Sequence, residues 1–81
     1  MINLQETLKD IAKAIVDTPE EVQVGMTEDD HSITLTLTVA PDDMGMVIGR
    51  HGKIAKAIRT VVKAAAANSG KKVNVDIVDV R

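Results

Sequence analysis

The chain has 81 residues, a formal net charge of −2, 44% apolar residues, and no Phe, Trp, Tyr or Cys. That length suits one domain with one core, and a chain this short buries only about 60% of the surface it exposes when unfolded. The composition excludes disulfides, thiolate metal sites and aromatic stacking platforms, and no apolar run approaches the ~20 residues of a membrane span. No charged-then-apolar leader opens the sequence. The expectation is a cytoplasmic protein whose residues 1–81 form a single domain.

Leu4, Leu8, Ile11, Ala12 and Ile15 recur at helical spacing, with Glu6, Lys9, Asp10 and Lys13 between them. This predicts an amphipathic helix over residues 3–16, with Asn3 as its N-cap and Asp17-Thr18-Pro19 as its stop. Val22, Val24 and Met26 alternate with Glu21, Gln23 and Gly25, which predicts a strand. Glu28-Asp29-Asp30-His31 is a polar turn. Ile33, Leu35, Leu37 and Val39 then alternate with Thr34, Thr36 and Thr38, the clearest half-buried strand in the chain. The two strands read as an antiparallel hairpin.

Pro41 and the acids after it are helix-start signals. A short helix follows over about residues 42–48, ended by Gly49. A second helix runs over about 53–67, with Ile54, Ala57, Ile58, Val61 and Ala65 toward the core. Lys53, Lys56, Arg59 and Lys63 lie on or near its opposite face. Asn68-Ser69-Gly70 ends it, and Val73-Asn74-Val75-Asp76-Ile77 is a third strand. The order is α-β-β-α-α-β, a three-stranded sheet packed against helices, hence α+β.

The small net charge hides a strong division. Residues 1–43 carry ten acids and two lysines, a balance of −8, whereas residues 44–75 carry seven Lys/Arg and no acid. Residues 76–81 add −1. Local field rather than net charge governs an anionic ligand, and the basic stretch holds the most informative segment, Val47-Ile48-Gly49-Arg50-His51-Gly52-Lys53-Ile54. Gly49 and Gly52 permit tight positive-φ geometry and leave no side chain in the way of a ligand. A helix starting near Lys53 aims its free N–H groups at the loop, which suits phosphate. A Walker loop does not fit: Val47 stands where its first glycine belongs, Ile54 where its hydroxyl belongs, and a helix rather than a strand precedes. The dinucleotide fingerprint fails for want of a Gly-x-Gly pair.

With these flanks the loop resembles that of the KH domain family, in which Gly-x-x-Gly joins two helices and clamps the backbone of about four nucleotides. The resemblance rests on Ile48-Gly49-Arg50-His51-Gly52-Lys53-Ile54 between helices 42–48 and 53–67. The element order resembles the type II (prokaryotic) arrangement over the whole chain, which is similar to the small single-domain bacterial members. The resemblance implies an RNA-binding module for single-stranded RNA, acting as a post-transcriptional regulator or RNA chaperone, with no cofactor. Its candidate RNA-binding residues are Ile48, Gly49, Arg50, His51, Gly52, Lys53, Ile54, Lys56, Ala57, Lys71 and Lys72. Arg50 can pair bidentately with phosphate, and Ile48, Ile54 and Ala57 offer an apolar floor for bases. The implied opposite wall is the third strand with the loop 68–72 before it, where Asn74 is a candidate polar group.

Other readings stand beside this one. A bare Gly-x-x-Gly also serves as a helix–helix connector with glycine caps. Lysines along a helix usually mark a solvated face. His51 lacks a sequence-neighbouring carboxylate or nucleophile, so a phosphate contact or plain exposure fits better than a catalytic base. His31 reads as exposed, and Met44 and Met46 as groove-side or core fillers. Nothing supports an enzyme: there is no metal-ligand cluster, nucleophile–base pair or nucleotide fingerprint. The rival function is a protein-interaction module, motivated by the aromatic-free core, edge strands, and Val78 and Val80 as apolar surface. The resemblance implies pairing too, as a homodimer or with a larger KH-containing protein.

Overall fold

Asn3 caps the first helix as expected, its Oδ1 accepting from the Glu6 N–H at 3.1 Å. The structure is a computed structural model that describes residues 3–79. Helix α1 (Leu4–Ile15) buries Leu8 and Ala12, while Leu4, Ile11 and Ile15 pack at the rim of the core. A 3-10 turn, Pro19–Glu21, leads into β1 (Gln23–Glu28). Strand β2 (Ser32–Val39) pairs antiparallel with β1, from Gln23 opposite Thr38 to Glu28 opposite Ile33.

The turn between them is built by Asp29. Its Oδ1 accepts from the N–H groups of His31 and Ser32, each at 2.7 Å. The His31 and then the Ser32 amide hold its carboxyl below the usual carboxylate range. His31 itself is exposed.

Strand β3 (Lys72–Asp79) pairs parallel with β2, Ile33 opposite Val73 and Val39 opposite Asp79. The order β1-β2-β3 makes β2 central. A parallel neighbour requires a crossover, and residues 40–71 supply it with two helices. These are α2 (Met44–Ile48), preceded by a 3-10 turn at Pro41–Asp43, and α3 (Lys53–Ala65). All three helices cover one face of the sheet. Ile33, Leu35, Leu37 and Val39 are buried beneath them, joined by Val73 and Val75 of β3. The period of two puts Thr34, Thr36 and Thr38 on the open face, with Asn74, Asp76 and Val78 beside them in register. The element order and α+β class are those expected.

One expectation about apolar residues, the core face of α3, is corrected. On β1 the burial fades along the strand: Val22, just before it, is buried, Val24 is half-buried and Met26 is exposed. On α3 the core face is Ala55, Ile58 and Val62, continued by Ala66 past its end, whereas Ile54 and Val61 are 38% and 49% exposed. Ala57 is exposed and Ala65 half-buried. Only Ile58 of the expected set is fully inside. Alanines and valines nearly encircle this helix, so two stripes at helical spacing compete, and packing on the sheet chose between them. Met44 packs against the core and Met46 is exposed. Val78 is exposed at 41%, and Val80 lies outside the described residues.

Asp43 is the buried charged residue among those described. Its Oδ2 accepts from the Thr18 N–H at 3.0 Å, tying the segment after α1 to the start of α2. Asp43→Ala strands that amide and is expected to cost about 1–3 kcal/mol. Urea unfolding checks it; an unchanged midpoint would show that the tie contributes nothing.

Candidate nucleic-acid interface

Helix α2 stops because Gly49 adopts φ 73°, ψ 179° while its N–H still donates to Gly45 O at 2.9 Å. That backbone region belongs essentially to glycine. A Cβ there would stand 2.6 Å from Ile54 Cγ1 and 2.9 Å from Ile54 Cβ. Ile54 therefore packs directly on the bare Cα and locks the loop onto the first turn of α3. Gly52 is different. It is left-handed, φ 74° and ψ 13°, but no atom lies within 4 Å of where its Cβ would be. One glycine closes the loop on itself; the other leaves the backbone open to approach.

Between them His51 also holds a positive φ, 57° with ψ 25°. An L-residue other than Asn or Asp meets a steric penalty there of about 1–2 kcal/mol. His51→Gly removes it at some cost in chain entropy, so a net gain of about 0.5–1 kcal/mol is expected. Thermal unfolding should rise by a few degrees, and a fall would contradict the strain.

Gly52 caps α3 without a side-chain hydrogen bond; the Lys53 N–H already donates to Arg50 O, and the positive end of the α3 dipole faces the loop. Arg50, His51, Lys53 and Lys56 are exposed around it. Ile48 (37% exposed), Ile54 and Ala57 form an apolar strip alongside. Nine candidate residues thus come together: Ile48, Gly49, Arg50, His51, Gly52, Lys53, Ile54, Lys56 and Ala57.

Lys71 and Lys72 are not brought to this cluster. Helix α3 leads away from the loop for 13 residues, a length of about 20 Å, before the chain turns into β3. Lys71 Nζ lies 2.5 Å from Glu28 Oε2, bound to the β1–β2 turn. A cavity of about 130 Å³ at that turn is lined by Thr27, Glu28, Asp29, Ser32 and Thr34 and offers no cation to an anion. Asn74 shares the open sheet face with Thr34, away from the helices.

What β3 contributes is its edge. Lys72 N–H donates to His31 O at 3.0 Å, so even-numbered backbone groups turn toward β2 and odd-numbered ones outward. The outward carbonyl of Val75 accepts from Arg59 Nε at 3.2 Å. Arg59 was not among the candidates. A signal for it exists in the spacing: Lys56, Arg59 and Lys63 form one flank of α3, and Ile54, Ala57 and Val61 form another with the same steps of three and four. Among the described residues no group of His, Cys, Asp and Glu could hold a metal ion, and no helix is long and apolar enough to cross a membrane.

The model of a family described as KhpA/KhpB, KH domain, matches residues 5–77. Over 75 residues the chain is 55% identical to the "RNA-binding protein KhpA" of Clostridium acetobutylicum, covering 93% of this chain and 100% of that protein. Identity to the protein of the same name from Halalkalibacterium halodurans is 46% over 76 residues, covering 94% and 100%. For that of Listeria monocytogenes it is 43% over 76 residues, again covering 94% and 100%. The backbone is similar to a crystal structure of Era in complex with MgGDPNP and nucleotides 1506–1542 of 16S ribosomal RNA, with TM-score 0.69 and 16% identity. That match covers 94% of this chain but only 29% of the Era chain, and at this identity the likeness is one of fold.

Proposed function

This chain belongs to the KhpA/KhpB KH-domain family, and from that premise we propose that it is an RNA-binding protein that clamps the backbone of single-stranded RNA on loop 49–52. The observation that carries the reading is the open space above Gly52, flanked by exposed Arg50 and Lys53 and by the start of α3, which has no side-chain cap. A phosphate can approach the backbone there, where N–H donors and the positive helix end favour negative charge. Arg50 supplies a bidentate fork, with His51, Lys53 and Lys56 adding charge. Ile48, Ile54 and Ala57 are the floor on which bases rest. The acid-free stretch 44–75 explains how a protein of net charge −2 attracts a polyanion.

With no aromatic side chain to stack a base, binding of this kind is weak and broad in sequence. Affinity falls with salt, log K changing by about −0.7 per log unit for each phosphate neutralised. Such a module suits a cytoplasmic RNA chaperone or post-transcriptional regulator and calls for no catalytic group or cofactor. Titrating a single-stranded RNA oligomer into ¹⁵N-labelled protein tests the reading. Amide shifts should concentrate on residues 49–56. Shifts confined to Thr34, Thr36 and Thr38 on the open sheet face would rule the clamp out.

A second reading is favoured by the exposed strip Ile48, Ile54, Ala57 and Val61. It suits a protein-interaction surface, for self-pairing or for a larger KH-containing partner of the KhpB (Jag) kind. Because Ile48, Ile54 and Ala57 serve both surfaces, RNA and partner would compete. Light scattering across salt and concentration separates the two; a strict monomer at high micromolar concentration counts against the homodimer.

A further inference from the structure

We propose that the outer edge of β1 is a docking site for an extended, lysine- or arginine-bearing segment of a partner protein, which adds to the sheet as a fourth strand. This edge and β3 lie on opposite sides of the sheet, so the inference does not rest on the RNA-binding reading. Two contacts fix which backbone groups the edge presents. Asp29 N–H donates to Ser32 O at 2.9 Å, continuing the ladder, so odd-numbered residues of β1 turn toward β2. Gln5 Nε2 donates from α1 to Val24 O at 3.1 Å, so even-numbered residues turn outward. Met26 and Glu28 therefore each offer an N–H and a C=O to a new strand.

Proteins usually blunt such an edge with lysine, proline, a bulge or a covering element. Strand β1 has no lysine or proline, and its register runs unbroken from Gln23 opposite Thr38 to Glu28 opposite Ile33. Its one charged residue, Glu28, stands at its end and is held by Lys71. Gln5 covers the Val24 end, and five of the six residues are exposed. Met26, 40% exposed, lies on the helix side of the sheet as a flexible apolar contact. Gly25 lies on the open side, with no atom within 4 Å of where its Cβ would be. Alternate side chains of an incoming strand thus have a place on each side.

Charge selects the occupant. Residues 14–49 hold eight acids and no Lys or Arg. Exposed Glu20 and Glu21 precede β1, and exposed Asp29 and Asp30 follow it. Nucleic acid is repelled there. A second copy of β1 is repelled too, because antiparallel pairing about Met26 sets residues 28–30 of one chain against Glu20 and Glu21 of the other. A basic segment instead meets acids at both ends of the strand.

Two octapeptides titrated into the ¹⁵N-labelled full chain test this, one alternating lysine with valine and one alternating glutamate with valine. The lysine peptide should shift the Met26 and Glu28 amides and, at saturation, slow their hydrogen exchange by about tenfold or more. The glutamate peptide should bind at least about tenfold more weakly. Met26→Pro removes an outward N–H and spares the ladder to β2, so it should abolish the protection at Glu28. Glu21→Lys with Asp30→Lys changes only exposed side chains and keeps the test open if the proline unfolds the strand. That double variant should reverse the preference toward the glutamate peptide. Unchanged exchange at Met26 and Glu28, shifts confined to other residues, or equal binding of the two peptides would overturn the proposal. So would a charge-reversed chain that still prefers the lysine peptide.

Discussion

Reversing charge at the loop, with Arg50→Asp and His51→Asp together, is expected to abolish RNA binding and leave the domain folded. Both side chains are exposed, and neither takes part in the buried core. The fold should tolerate the change for two local reasons. Aspartate accepts the left-handed conformation of position 51 better than most residues. Acids next to the start of α3 also suit the positive end of its dipole. A phosphate chain meets the opposite situation: two cationic contacts become two repulsions at the point of closest approach. Affinity should fall at least about 100-fold at low salt, and the salt dependence should flatten by about 0.7 for each phosphate contact removed. Filter binding across a salt series, with a melting curve as control, reads both effects. A folded double variant that binds like wild type would end the clamp reading.

The other large effect separates the two glycines. Gly49→Ala should cost about 3–5 kcal/mol, combining a backbone region closed to alanine with a forced overlap on Ile54. A chain of 81 residues is typically stable by only about 4–12 kcal/mol, so this variant should be close to unfolded. Gly52→Ala meets the left-handed penalty but no neighbour, and should cost about 1 kcal/mol. Its effect belongs on the ligand side, where the new methyl group fills the open approach. Adding Ile54→Ala to Gly49→Ala removes the overlap but not the dihedral penalty, and a double-mutant cycle by denaturant unfolding gives their separate sizes. Equal losses at Gly49 and Gly52 would mean that Ile54 does not lock the loop.

Much of the scaffold is legible in the residues because its signals are local. Asn3 is three residues from the amide it caps, and the alternation Ile33–Thr34–Leu35–Thr36 assigns each β2 side chain to a face by geometry alone. The pair of glycines between two helical patterns, set in an acid-free stretch, locates the loop for the same reason. Other features were ambiguous in principle. Ile54 and Ala55 begin rival apolar stripes on α3, and nothing within the helix ranks them; the sheet beneath does. Lys71 reads as one more cation until Glu28, 43 residues earlier in the chain, is seen to hold it.

The sequence by itself determined the element order, the single core of aliphatic side chains and the position of a basic glycine loop. Each follows from spacing within a turn of helix, a few strand residues, or a run of charge. Tertiary structure alone decided what those parts do to one another. It placed β3 parallel to β2, so that an edge lies beside α3. It turned Arg59 onto that edge, buried Asp43 against Thr18 N–H, and set Ile54 on Gly49 while leaving Gly52 bare. Except for Ile54 on Gly49, these contacts join residues at least 16 positions apart, and all depend on directions in space that no local pattern encodes.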